Sequence, residues 1–362
     1  SFSTKGNPNI TWETNTNFNV GVEFGLWQDR LSGSIDFFNR LTSDMLFQIP
    51  VAPSMGYSSY YDNIGDMVNR GIEIELNGEI IRSRNVSWSI GLNMTHVSNK
   101  VLSLPDSRKD FTLDGHEGFI NGSQFIGEGL PLYAWYMPEY LGISDEGKST
   151  WYYRAPAKDD AGQLLKDANG EQIYEDSSTD NYTVIQSDLY SRKYQGSVTP
   201  KLYGGFNTSL YAYGFDLSVA FDYQIGGLSY DSGYASYMRS PQDTSVGNNY
   251  HRDLLDAWTP DNKDTNVPRF HYNDQYTTAT SSRFLTDASY LNISNINVGY
   301  TFPAKWMNKI KVAGLRVYVA CDNVYYWSKR KGFDPRQSFS GGTTNVAYSP
   351  IRTISGGLTL TF

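Results

Sequence analysis

The chain has one cysteine, Cys321, in 362 residues, so it forms no internal disulfide and builds no Cys-based zinc site. It contains no run of 18 apolar residues, which excludes a transmembrane helix. It has no basic excess: 30 Lys and Arg against 38 Asp and Glu leave a net charge of −8, the opposite of what a nucleic-acid partner selects. No catalytic constellation stands out. The four histidines (His96, His116, His251 and His271) are scattered. His251-Arg252-Asp253 has no Gly-x-Ser-x-Gly beside it. These histidines read as solvated loop residues, and the chain as no enzyme. It also lacks an initiator Met and a charged-then-apolar leader. It therefore reads as beginning inside a larger protein.

What the chain has is aromatic residues, 28 Tyr, 18 Phe and 8 Trp, and a period of two. In 14–26, Phe18, Val20, Val22, Phe24 and Leu26 alternate with Asn17, Asn19, Gly21, Glu23 and Gly25. Further segments of strand character cover 31–46, 69–82, 86–99, 131–144, 149–154, 200–212, 215–228, 283–302 and 314–327. The last, 354–362, sets Ile354, Leu358, Leu360 and Phe362 against Ser355, Thr359 and Thr361. Half-apolar, half-polar strands without covering amphipathic helices predict a sheet with lipid on one side and water on the other.

The links between segments alternate in length. Short turns near 27–30, 83–85, 145–148 and 213–214 are separated by loops of roughly 20 to 50 residues, as in outer-membrane barrels with tight periplasmic turns and long external loops. The expected fold is an all-β transmembrane antiparallel barrel. About eleven strands is an odd number, and an open sheet leaves backbone groups unpaired in hydrocarbon, so half of a barrel of about 22 strands fits best.

Several stretches then carry a family resemblance. They include Asn63-Ile-Gly-Asp-Met-Val-Asn-Arg-Gly-Ile-Glu73, Pro200-Lys-Leu-Tyr-Gly-Gly-Phe-Asn207, Gly299-Tyr-Thr-Phe-Pro303, Gly332-Phe-Asp-Pro335 and the closing strand. In order and spacing the chain resembles the C-terminal barrel half of SusC/RagA-type TonB-dependent outer-membrane transporters, over about 7–362. The resemblance implies active import of an oligosaccharide or, in some members, a peptide across the cell outer membrane. It implies an N-terminal plug, a TonB box and first barrel strands outside residues 1–362. The partners implied are a SusD-type lid lipoprotein, the TonB-ExbB-ExbD energising complex, barrel-assembly machinery and outer-membrane lipid. A dimer of transporter–lipoprotein pairs is compatible with it. A passive porin or a surface adhesion barrel is the alternative.

Candidate contacts for substrate or lid are the loop residues Tyr57, Tyr60, Tyr61, Tyr234, Tyr237, Tyr250, Trp258 and Arg269, because aromatic faces stack on sugar rings and anchor protein interfaces. Trp12, Trp27, Trp88, Trp306 and Trp327 fall near strand ends and read as interfacial girdle. Leu358, Leu360 and Phe362 resemble the terminal signal read in barrel assembly. No cofactor or metal is expected. The 158–170 loop loosely echoes a calcium loop but lacks the Asp-x-Asp-x-Asp-Gly spacing, so solvated turns are the preferred reading.

Overall fold

The structure, a computed structural model, describes residues 4–51, 53–242, 247–274, 276–337, 340–342 and 348–362. Nine strands make one continuous sheet in chain order: β1 Thr14–Leu26, β2 Leu31–Ser43, β3 Asp66–Arg82, β4 Val86–Ser103, β5 Leu202–Ala212, β6 Phe215–Ile225, β7 Tyr290–Thr301, β8 Gly314–Ser328 and β9 Thr353–Thr361. Every neighbouring pair is antiparallel. Links 27–30, 83–85, 213–214 and 302–313 lie at one end, and the long connections 44–65, 104–201, 226–289 and 329–352 at the other. The tightest link closes Ala212 on Phe215, with Tyr213 and Gly214 both at positive φ, as the right-handed twist of a two-residue hairpin demands. The 302–313 link carries one helical turn, Ala304–Met307.

The expectation of about eleven wall strands needs correction. Segments 131–144 and 149–154 form strands, but in separate loop sheets. Ala134–Pro138 is buried at every position instead of alternating, and Pro138 brings no N–H to a ladder. The turn at 145–148 accordingly joins two strands inside a long connection, Tyr140–Ile143 and Ser149–Pro156. Several boundaries also move, among them the start of β3 at Asp66, the end of β4 at Ser103 and the start of β7 only at Tyr290.

Register turns the alternation of single strands into two uniform faces. Val22, Ile35, Ile74 and Met94 stand side by side, as do Leu210, Leu217, Val298 and Val319. The intervening rows are polar: Gly21, Asp36, Glu73 and Thr95 in one, and Ser209, Ser218, Asn297, Ala320 and Ser355 in another. Val22, Val319 and Leu358 are all more than half exposed, which suits an apolar surface meant for lipid. Asp36 directly faces Glu73, a like-charge pair that costs about 0.2–1 kcal/mol and is tolerable where water fills the lumen. The same face holds a favourable pair. Arg316 of β8 reaches over β7 to Asp216 of β6 through two hydrogen bonds of 3.1 and 2.5 Å. Gly299 lies beneath that crossing, where a Cβ would come within 2.5 Å of the guanidinium.

Aromatic residues mark both ends of the apolar face. Trp27, Trp88 and Trp306 lie at the short-turn end with the chain of contacts Phe215–Tyr300–Phe302–Trp306, and Trp12 and Trp327 lie at the long-loop end. The Trp88 indole N–H donates to Thr208 Oγ1 at 2.8 Å, so neither polar atom meets the lipid face unpaired. Ten residues separate Val317, paired with Tyr300, from Trp327. That is roughly 33 Å along a strand and about 25 Å across a bilayer at a tilt of about 40°.

Val219 and Ser218 test the two faces from adjacent positions. Val219→Arg, midway between the girdles on the apolar face, is expected to destabilise the full-length barrel by about 2–4 kcal/mol in urea-unfolding titrations in lipid vesicles. Ser218→Arg, pointing to the lumen, is expected to stay within about 0.5 kcal/mol. Equal costs would overturn the facing.

Candidate functional site

Burial in this protein concentrates in the long connections, not in the wall. One buried cluster joins Met45, Ile49 and Ile64 to Val101, Leu104, Phe119, Ile126 and Leu132. A second joins Ala235, Met238, Ala257, Val267 and Phe284. The long-loop end is thus a folded layer with apolar interiors of its own, and all eight aromatic and arginine candidates belong to it.

The first connection presents three tyrosines. Tyr57 is half-buried with Lys5 Nζ 5.5 Å above its ring. Tyr60 is wedged between Arg108, which donates to its hydroxyl, and Asp62. Tyr61 is exposed on the strand Ser59–Asn63. In the third connection, Tyr234 is a packing residue. Its hydroxyl bonds Asp253 at 3.1 Å, Arg330 lies 3.7 Å over its ring, and burial pushes its pKa up to about 12. Tyr237 and Tyr250 are exposed, the latter edge-on to Phe270 at 5.4 Å.

Trp258 and Arg269 come together on the 145–148 turn. A Cβ on Gly147 would fall 2.4 Å from the Trp258 ring and 3.0 Å from Arg269 Cβ, so glycine lets the third connection seat on the second. The Arg269 backbone N–H donates to the Gly147 carbonyl, and its guanidinium grips both carboxylate oxygens of Asp274 at 2.8 and 3.2 Å. That hydrogen bonding raises the Arg269 pKa and makes the residue a clamp between loops.

Beside this clamp lies a cavity of about 320 Å³. Lys148 and Asp180 pair across it at 2.6 Å. The ammonium holds the Asp180 carboxyl below the usual carboxylate range, and the carboxylate raises Lys148 in turn. Ser149, Trp151, Asn181, Asn273, Asp274, Tyr276 and Thr277 line the rest of it. Trp151, Tyr182 and Tyr276 form a line of ring contacts at 5.1 and 5.6 Å. The Trp151 indole N–H is buried without an acceptor, a condition that costs roughly 1–3 kcal/mol. Sequence reading passed over this site. Lys148 and Asp180 are 32 residues apart with no local pattern to join them, and Trp151 sits in a segment with weak alternation.

The acidic 158–170 loop is two turns built alike. Asp159 Oδ1 accepts from the Ala161 and Gln163 N–H groups, and Asp167 Oδ1 from those of Asn169 and Glu171. Among the described residues no group of three His, Cys, Asp or Glu could hold a metal ion. The histidines are not all in loops: His96 stands on β4, where Nδ1 donates to the Lys201 carbonyl at 2.6 Å. Leu358 and Leu360 pair with Val317 and Leu315 on the apolar face, and Phe362 is exposed just beyond β9.

Comparisons place these features in a family. Residues 1–212 match the family model described as TonB dependent receptor-like, beta-barrel. The chain is 29% identical, over 98% of its length, to TonB-dependent receptor P3 of Formosa agariphila, covering 35% of that protein. It is 25% identical, again over 98% of its length, to TonB-dependent receptor SusC of Bacteroides thetaiotaomicron, covering 32% of it. It thus spans about a third of the length of these curated relatives. Among solved structures, the RagAB peptide transporter superposes with a TM-score of 0.77 at 29% identity, over 100% of this chain and 37% of that one. An 'open-open' state of the RagAB peptide importer gives 0.73 at 28% identity, over 100% of this chain and 36% of that one.

The Lys148–Asp180 pair sets a pH window for loop order. Asp180, with its pKa lowered, contributes above the ordinary carboxylate range and loses its contribution as pH falls through its depressed value. Lys148, with its pKa raised, contributes at all lower pH and fails only above the ordinary lysine range. Limited proteolysis within 145–181 of the full-length protein is expected to be constant from about pH 5 to 9 and to accelerate below about pH 4. Asp180→Asn is expected to remove that acid step, and an unchanged step in this variant would assign it elsewhere.

Proposed function

The chain belongs to the TonB-dependent receptor-like β-barrel family, and from that premise we propose that the protein it forms part of imports an oligosaccharide or peptide actively across the outer membrane. The chain is an outer-membrane β-barrel segment and not an enzyme. One observation carries the transport reading: a nine-stranded sheet with a lipid-facing apolar band and a polar lumen face, capped at one end by folded loops. Such a sheet lines a passage and covers its outer mouth.

On this reading the chain is the C-terminal part of one barrel. Among the described residues β1 and β9 each have one neighbour, and an unpaired edge in hydrocarbon costs several kcal/mol per backbone group. Strands from the remaining two-thirds of a relative-sized protein would close it, and a plug and TonB box there would couple it to TonB-ExbB-ExbD. A SusD-type lipoprotein would close over the loop end, where Tyr61, Tyr237 and Tyr250 are each exposed. Leu358, Leu360 and Phe362 would be the segment read by barrel-assembly machinery. RagAB and SusC support this assignment as similar proteins, and the first is described as a peptide transporter.

Uptake of labelled oligosaccharide and peptide pools by cells bearing the full-length protein decides between active import and passage through a porin. Collapse of the proton gradient is expected to abolish uptake that depends on the protein. Uptake that continues unchanged would establish a passive pore.

A further inference from the structure

The lipid-facing rows of the wall carry charge at one place, and both charges there are positive. Of the Asp, Glu, Lys and Arg residues in β1–β9, register puts only Arg70 and Lys100 on that face. They are neighbours. Arg70 of β3 lies directly opposite Ser98 of β4, and Lys100 is the next residue after Ser98 on the same face. Diagonal positions of this kind stand about 7–8 Å apart, within reach of long side chains. Both residues are exposed. Among the described residues neither forms an ion pair with a carboxylate. The carboxylates of these strands, Asp36, Glu73 and Glu75, stand on the lumen face instead. The Arg70 Nε–H donates to Asn39 Oδ1 at 2.7 Å. That bond fixes the plane of the guanidinium and leaves its two terminal NH₂ groups without a hydrogen bond among the described residues.

The pair sits at the edge of the apolar band. On β2, β3 and β4 that band ends with Phe37, Ile72 and Met94, and Asn39, Arg70, His96 and Ser98 follow toward the long loops. Ten residues separate Ser98 from Trp88 at the short-turn end of β4. At a tilt of about 40° that is about 25 Å across the bilayer, the height of the band, so the two cations meet the headgroup layer. Two like charges without a counter-ion repel each other beside hydrocarbon. An anion with several oxygens at that height removes the repulsion, and phosphate matches the planar guanidinium fork. We propose that Arg70 and Lys100 form a binding site for the phosphate of an outer-leaflet lipid. The Arg70 fork takes two phosphate oxygens and Lys100 a third, and the acyl chains run down over Ile72, Ile74, Leu92 and Met94. The site rests on the outward facing of these rows and on the long-loop end being external. It does not depend on whether transport is active or passive.

Native mass spectrometry of the full-length protein in neutral detergent, titrated with monophosphoryl lipid A, tests the site. Dephosphorylated lipid A and inorganic phosphate are the contrasts. The phosphorylated lipid is expected to bind about tenfold more tightly than the dephosphorylated one, and an equimolar amount of inorganic phosphate is expected not to displace it. Arg70→Gln and Lys100→Gln are each expected to weaken binding by about fivefold, and the double variant by more than either. Lys305→Gln, which alters an exposed cation at the short-turn end, is expected to leave binding unchanged. Equal binding of the two lipids, displacement by inorganic phosphate, wild-type affinity in the double variant, or the same loss in Lys305→Gln overturns the site. Both positions are exposed, so the urea midpoint is expected to hold, and a loss of binding that appears only with a lowered midpoint overturns it too. Equal costs of Val219→Arg and Ser218→Arg would take away the facing itself. Absent phosphate-dependent binding with that contrast intact sinks this site alone.

Discussion

Backbone hydrogen bonding in a medium without water is the constraint on which this structure depends. In hydrocarbon an unpaired N–H or C=O costs several kcal/mol, so the chain crosses only as paired strands. Continuous pairing from β1 to β9 fixes register, and register in turn makes Val22, Ile35, Ile74 and Met94 one surface and Asp36 and Glu73 another. The two faces meet different solvents. A facing pair of carboxylates is acceptable on the wet side, whereas on the dry side the Trp88 indole N–H is paired with Thr208 Oγ1, which itself donates to the Ser89 carbonyl.

Because the wall has a solvent on each side, it supplies no interior. The buried side chains gather instead in the long connections, around Ile64 and Phe119 in one place and Phe284 and Met238 in another. That has a functional consequence. A loop layer with its own cores presents fixed surfaces, such as the Trp258–Arg269 seat on Gly147 and the Lys148–Asp180 cavity beside it. Preorganised groups bind without first being ordered.

Each of the nine wall strands was legible in the sequence to within a few residues at its ends. β1 spans the expected 14–26, and the short turns at 27–30, 83–85 and 213–214 stand where expected, because a period of two next to a change of solvent is a local signal. The loop layer was not. Ala134–Pro138, read as wall, is buried on both sides, and its aromatic run looks the same from sequence whether it faces lipid or a loop core. Tyr60, Tyr234 and Arg269 were chosen as ligand contacts by residue type, and the structure ties each to intramolecular partners, while Tyr61, Tyr237 and Tyr250 stay exposed.

The sequence by itself determined which side of each wall strand is greasy and at which end the long loops gather, and it marked the nine wall strands together with two segments, 131–144 and 149–154, that belong to the loop layer. Those properties follow from alternation and from turn length, which act over a few residues. Only the tertiary structure decided which loop residues meet. Lys148 finds Asp180, and the line of Trp151, Tyr182 and Tyr276 spans more than a hundred residues of chain. Such contacts arise when separately folded connections are brought to the same rim by neighbouring strands. No pattern within any one of them records the meeting.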